Sequence, residues 1–261
     1  MAVYSHSRIE TFKQCKLKYK FQYVDRIRVD LPSTVELFLG DIVHQALHWL
    51  FEQIAHIGIP TKEALIEKYV FLWKQWTDDI VINRGTKEEY VIKGRLFLTQ
   101  YYESYHPFDQ LEILGLETND RLELKDGNKY YVRIDKLAKK DTTYYVCDYK
   151  TNNALKTQDE VDKDRQLALY SIWVKKRYPE CTDVKLVWDF LAHNTQMVST
   201  RSDDELTTLE DDTVRIIATI EDTTHYPSTK TQLCNWCSYK SLCPEWNVMP
   251  KQVRQVSLTD F

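Results

Sequence analysis

Asp148 and Lys150 stand two residues apart in "VCDYKT", and Asp135 sits in the preceding run "VRIDKLA". Both runs read as β-strands, and residues two apart on a strand leave the same face. A short Lys/Asp/Thr turn joins the strands. With an even number of residues in that turn, Asp135 comes opposite Val146, one diagonal step (roughly 7–8 Å) from Asp148. An odd number would put the two acids on opposite faces. Two aspartates so placed repel and lose solvation unless a hard divalent cation with oxygen ligands joins them. Mg²⁺ keeps several waters, and a metal-bound water of lowered pKa is a nucleophile. Lys150 would position that water or neutralise charge developing on phosphorus. Phosphodiester hydrolysis is the chemistry this set suits.

Three further groups carry chemistry. His44 and His48 are four apart on a helical run, but no glutamate or third ligand accompanies them as in H-E-x-x-H. A lone helix histidine is usually structural. Glu117, on the strand before Asp135, could add a carboxylate to the set, though a solvated strand position is the favoured reading. "LCNWCSYKSLCPEW" supplies Cys234, Cys237 and Cys243, three thiols that need a fourth to hold zinc or a [4Fe-4S] cluster. The C-x₂-C hook leans toward zinc. Cys147 and Cys181 lie in or beside strands, where free cysteines are ordinary core residues.

The elements that must position these residues follow from periodicity. Ser7-x-x-Glu10 is a capping-box pattern, and a helix follows it to about Val24. Further helices fit Val35–Ile57, Lys62–Ile80 and Lys87–Tyr105, with Trp73, Trp76, Phe97 and Tyr101 as core stripes. Period two then takes over in three runs from Leu111 to Lys150. A helix from about Asp159 to Arg177 comes next, followed by strands near Val184–Ala192 and Gln196–Arg201 and a helix from Asp203 to Ile220. Helices leading into a meander, a helix and more strands predict an α/β fold around a central mixed sheet. One domain over 1–261 is expected: a mainly helical part (1–107), a core (108–201), a helix and cysteine-rich segment (202–246) and a tail (247–261).

Composition narrows the function classes. With 6 glycines in 261 residues, and neither GxGxxG nor GxxxxGK, nucleotide folds built on glycine-rich loops are excluded. A formal net charge of -4 gives no global attraction for nucleic acid, so such contact has to be local. Lys13, Lys16, Lys18, Lys20, Arg26 and Arg28, interleaved with Phe12, Tyr19, Phe21 and Tyr23, form a patch of that kind, for phosphate contacts and stacking. The opening residues contain no apolar leader and no run is long enough for a membrane span. The expectation is a soluble protein of the cytoplasm or another intracellular, DNA-containing compartment.

Taken in order, "YSHSRIETFKQCKLKYKFQYV", "GDIVHQALH", "VRIDKLA", "VCDYKT" and "RQLALY" resemble the RecB-type branch of the PD-(D/E)XK nuclease superfamily. That branch includes nuclease domains of bacterial recombination helicases and CRISPR-associated spacer-acquisition exonucleases. The resemblance runs from Tyr4 to Pro244 and implies a restriction-endonuclease-like core. It also implies Mg²⁺ or Mn²⁺ held by His44, Asp135, Asp148 and the Tyr149 carbonyl, with Lys150 as catalytic lysine. Gln166 and Tyr170 match the Q-x-x-x-Y element, and i,i+4 spacing puts both on one helix face. For the cysteines the resemblance implies a [4Fe-4S] cluster on Cys15, Cys234, Cys237 and Cys243, against the zinc leaning of the spacing. Lys16 departs from the proline that often follows the first cysteine. Closing the chain between Cys15 and Cys234 costs on the order of 5 kcal/mol, so the cluster reads as a staple.

The function expected is a metal-dependent DNA exonuclease on single-stranded ends, in recombination, repair or replication. A nonenzymatic iron-sulfur or zinc-stapled DNA-binding scaffold is the alternative. "QVSLTDF", Gln255 to Phe261, resembles the peptide by which replication and repair proteins dock on sliding clamps.

Overall fold

In a computed structural model the described residues are 3–29 and 32–246; the Gln255–Phe261 motif lies outside them. The order among them is β1 (Val3–Tyr4), α1 (His6–Gln14), α2 (Lys16–Tyr19), α3 (Val35–His56), α4 (Lys62–Leu72), α5 (Lys87–Tyr105), β2 (Glu112–Glu123), β3 (Lys129–Lys140), β4 (Thr143–Lys150), α6 (Gln158–Asp162), α7 (Arg165–Arg177), β5 (Asp183–Phe190), β6 (Thr195–Ser199) and α8 (Asp203–Glu221). The strands make one mixed six-stranded sheet. β3 is antiparallel to β2 and β4 and parallel to the short β1; β4 and β5 are parallel, and β6 adds antiparallel to β5. A parallel β4–β5 pair requires a crossover, and α6 and α7 supply it. The expected α/β architecture with a helix-flanked mixed sheet is the one observed.

The chain forms two compact units. The first comprises Met1–His6 and Pro32–Arg215, the second Ser7–Leu31 and Ile216–Phe261. In the first, α3 starts where the Thr34 hydroxyl accepts the Leu37 N–H, an N-cap that relieves one orphan donor. Val35, Leu39, Ile42, Val43, Ala46, Leu47 and Leu50 then form its buried stripe, leaving His44 and His48 at the edge. α5 begins with a full Thr86/Glu89 capping box, and Gly94 lets it approach its neighbours, because a methyl there would collide with the Tyr69 hydroxyl and Leu39. Trp73, Phe97 and Tyr101 are buried in this core and Trp76 packs against it, as expected. No helix among the described residues is long and apolar enough to cross a membrane.

Four helix expectations need correction. The first helix does not run unbroken to Val24: Cys15 is extended (φ -162°, ψ 113°) and its Sγ accepts the Lys18 N–H at 3.5 Å, so the thiol caps a new helix. Ser7 lies inside the first turn rather than capping it, since α1 starts at His6. α4 stops at Leu72 and tightens into a 3₁₀ turn over Trp73–Gln75, where Phe38 packs edge-on to Trp73 and Trp76. The expected Asp159–Arg177 helix is two helices, because Asp164 leaves helical geometry to accept the Gln166 and Leu167 N–H groups.

The second unit joins the N-terminal helices to the cysteine-rich segment. Leu17 N–H donates to the Pro227 carbonyl at 3.2 Å, and the Tyr239 hydroxyl to the Ile27 carbonyl at 3.0 Å. Phe12 and Tyr19 are buried here. Lys13 pairs with Glu10 and Lys20 with Asp25. The expected stacking patch therefore loses two of its four rings to the core.

Candidate active site

The β3–β4 hairpin turns through two residues, Asp141 and Thr142, with Lys140 opposite Thr143 and Lys136 opposite Cys147. Asp141 takes the left-handed φ of +54° that such a turn demands. The turn is even, as the site requires, but one residue later than expected. Continuing the ladder sets Asp135 opposite Asp148 itself, not opposite Val146. Both acids occupy one face, where Tyr149 N–H donates to Asp135 Oδ2 at 2.9 Å.

His44 reaches this pair from α3. Its Nδ1 lies 3.5 Å from Asp135 Oδ2 and its Nε2 3.0 Å from the Tyr149 carbonyl oxygen. A carbonyl only accepts, so Nε2 carries a proton. Nδ1 then faces a carboxylate oxygen, which is favourable only if that contact holds a proton too. Burial pushes the Asp135 pKa up to about 6, opposed by His44 and reinforced by Asp148. Lys150 Nζ sits 2.6 Å from Asp148 Oδ2. Burial works against the Lys150 charge, yet Asp148 raises its pKa above the ordinary lysine value.

Glu117, which the sequence offers as an added carboxylate but favours as a solvated position, stands beside these acids. Its carboxylate, His44 and Asp135 offer ligand atoms within 4.8 Å of one another. Glu117 takes φ +45°, a strained value inside a strand that re-aims its side chain. Arg133, two residues before Asp135, fixes it: Nε and Nη2 both lie 2.9 Å from Glu117 Oε2. A left-handed residue in a strand leaves no mark on hydrophobic periodicity, and Glu117 reads there as one more polar position.

The donor set suits a hard divalent cation. Adjacent ligands of an octahedral ion with bonds of 2.0–2.1 Å stand about 3 Å apart, the separation observed between His44 Nε2 and the Tyr149 oxygen. Three carboxylates, a carbonyl and one imidazole are mostly oxygen, which favours Mg²⁺ or Mn²⁺ over softer metals. His44, Glu117 and Asp135 line a cleft of about 740 Å³ that Trp49, Lys68 and Tyr131 also border. His48 borders it as well, with Nε2 3.2 Å from Glu52.

α7 carries Gln166 and Tyr170 on one face, and the Gln166 amide donates to the Tyr170 hydroxyl at 3.1 Å. Tyr170 is buried, and burial raises its pKa, with smaller contributions from Asp148 and Asp135. The pair thus lies within the electrostatic reach of the acids.

In the second unit, Cys15, Cys234, Cys237 and Cys243 line one cavity. No three of their sulfurs lie within 4.8 Å of one another, whereas a tetrahedral zinc with bonds of 2.3 Å needs them about 3.8 Å apart. The Thr231 N–H donates to Cys234 Sγ at 3.3 Å and, with the nearby Lys230 charge, lowers that thiol's pKa. Cys147 is buried in the sheet, its thiol pushed up to about 12 by burial, and Cys181 is half-buried beside β5.

No curated protein matches the chain. Among solved structures, one titled "Crystal structure of SSO0001" aligns with a TM-score of 0.36 at 16% identity, covering 88% of this chain and 95% of that one, a likeness too slight to build on. The family model described as the PD-(D/E)XK nuclease superfamily matches residues 3–244, a span that takes in the hairpin acids, the lysine and the histidine helix alike. The chain belongs to the PD-(D/E)XK nuclease superfamily.

Proposed function

We propose that this nuclease is a Mg²⁺- or Mn²⁺-dependent deoxyribonuclease of the RecB-type branch, acting as an exonuclease on single-stranded DNA ends in recombination, repair or replication. The observation that carries the reading is the meeting of Asp135, Asp148 and Lys150 on one sheet face with His44 and the Tyr149 carbonyl above it. His44, Asp135, Asp148 and the Tyr149 carbonyl would hold the ion, and Glu117 extends the set. A divalent ion bound there supplies a water of lowered pKa and a counter-charge for the scissile phosphate.

The chain's own groups do the rest. Lys150, kept charged by Asp148, donates to an oxygen of the phosphate as negative charge grows on it. Asp135 stays ionised once a cation offsets its repulsion by Asp148. Gln166 directs an amide at the same face, with Tyr170 holding its orientation. Trp49 and Tyr131 bring aromatic rings to the cleft, and Lys68 and Arg133 bring cations, the combination by which unpaired strands are held through stacking and phosphate contact.

A [4Fe-4S] cluster on Cys15, Cys234, Cys237 and Cys243 completes the reading. That the four thiols line one cavity supports a shared ligand there. The break at Cys15 sets that sulfur at a helix start, where it already accepts the Lys18 N–H.

The test is an anaerobic preparation assayed on end-labelled single- and double-stranded DNA, with Mg²⁺, Mn²⁺ or chelator, beside Lys150→Ala. Metal-dependent release of end label, faster on single strands and lost in the variant, is expected. Equal activity of wild type and variant would end the catalytic assignment.

A further inference from the structure

Lys136 follows Asp135 on β3 and so points to the opposite sheet face. Its ammonium group is buried, with the residue only 7% exposed. It donates to the Tyr101 hydroxyl at 3.0 Å and lies 4.3 Å from the centre of the Phe51 ring. It forms no ion pair with a described carboxylate. Asp189, buried on the same face, has Oδ1 already taken by the Tyr105 hydroxyl at 2.9 Å and the Gln196 amide at 3.0 Å. A buried cation without an adjacent anion is costly, and the cost falls when an anion arrives.

A cavity of about 280 Å³ is lined by Lys136. Phe51, Tyr101, Tyr105 and Phe108 give it aromatic walls, and Gln110 and Lys140 stand at its exposed rim. The Cys147 thiol also lines it. Ring walls with a cation at depth and another at the rim select a flat ring that carries an acid.

We propose that this cavity binds a small aromatic anion, its acidic group on Lys136 and its ring between the aromatic walls. Two sources share that chemistry: an aromatic carboxylate, and a mononucleotide released by the nuclease itself, the second of which rests on the function proposed above. The site connects to the catalytic face through Tyr149, whose hydroxyl lies 3.4 Å from that of Tyr101 and whose carbonyl meets His44.

The test is isothermal titration of the full chain in EDTA with dAMP and, separately, with benzoate. Saturable binding of at least one is expected, weakened at least about tenfold by Lys136→Met and several-fold by Lys140→Glu, which reverses the charge at the exposed rim. Asp135→Asn should bind as wild type does, separating this cavity from the catalytic face. Binding of dAMP identifies the product as a ligand; binding of benzoate alone assigns the site to carboxylates. No binding of either at millimolar concentration, or binding that survives both substitutions, would overturn the proposal. Because no metal or turnover is involved, an inactive enzyme leaves this result readable.

Discussion

His44 Nε2 and the Tyr149 carbonyl oxygen meet at 3.0 Å, so two atoms proposed to face a shared cation face one another through a proton. Metal entry has to remove that proton, and the Asp135–Nδ1 contact holds another. Titrating Mn²⁺ into metal-free protein near pH 5, below the Asp135 value of about 6, should therefore release about one proton, measured as the dependence of binding heat on buffer ionisation enthalpy. Affinity should rise as the pH climbs through about 6, where Asp135 ionises. A heat independent of buffer would remove this picture.

The same acid sets a stability pattern. In the unfolded chain an aspartate titrates near about 3.9, and burial raises the folded value to about 6, so the folded state binds the proton more tightly. The stabilisation is complete below the unfolded pKa and is lost as pH rises through the folded one. Asp135→Asn should accordingly stabilise metal-free protein at pH 8 by on the order of 1–3 kcal/mol, seen as a higher melting temperature. That gain should shrink as the pH is lowered toward about 4. Melting curves in EDTA decide it.

Lys150→Ala should lower the rate on DNA by roughly 10²–10³-fold with little change in KM, because the ammonium acts as charge grows on phosphate. Lys150→Arg keeps the charge but not the compact geometry beside Asp148, and is expected to recover only part of the loss.

Arg133 positions Glu117 without itself offering a ligand atom. Arg133→Ala should weaken Mn²⁺ binding about 10- to 100-fold, and Glu117→Gln should reproduce the effect. Electron paramagnetic resonance titration of free Mn²⁺ reads both. Wild-type affinity in the two variants would return Glu117 to the ordinary strand position that its sequence context suggests.

For the cysteines, anaerobic Cys234→Ser and Cys15→Ser should each lose iron and visible absorbance and melt at least about 4 °C lower. Stoichiometric zinc in a colourless wild type would replace the cluster with a different staple.

Most of the fold was legible, because apolar spacing reports which face an element buries. The stripe from Val35 to Leu50 announces α3, and the alternation through Lys129–Lys150 announces the hairpin. Asp135, Asp148 and Lys150 needed one further fact, the parity of the turn, which periodicity constrains only to even or odd. The one-residue offset of the turn, which moves the strand pairing by two residues, came from there. Three features left no pattern to read. Glu117 joins the acids through a left-handed backbone, Cys15 ends a helix by accepting a backbone N–H, and Lys136 is buried at a position where alternation beside an acid suggests an exposed charge.

The two-residue turn at Asp141–Thr142 lies about 20 Å along the strands from the paired acids, on the surface and free of any chemistry of its own. A single added residue there would have to be absorbed as a bulge, or β4 would rotate half a turn about its axis and carry Asp148 and Lys150 through the sheet. Loop length is normally the loosest variable in a protein. In this chain the geometry constrains it as tightly as a catalytic side chain, so lineages that keep the activity should tolerate changes of residue at this turn far more readily than changes of length.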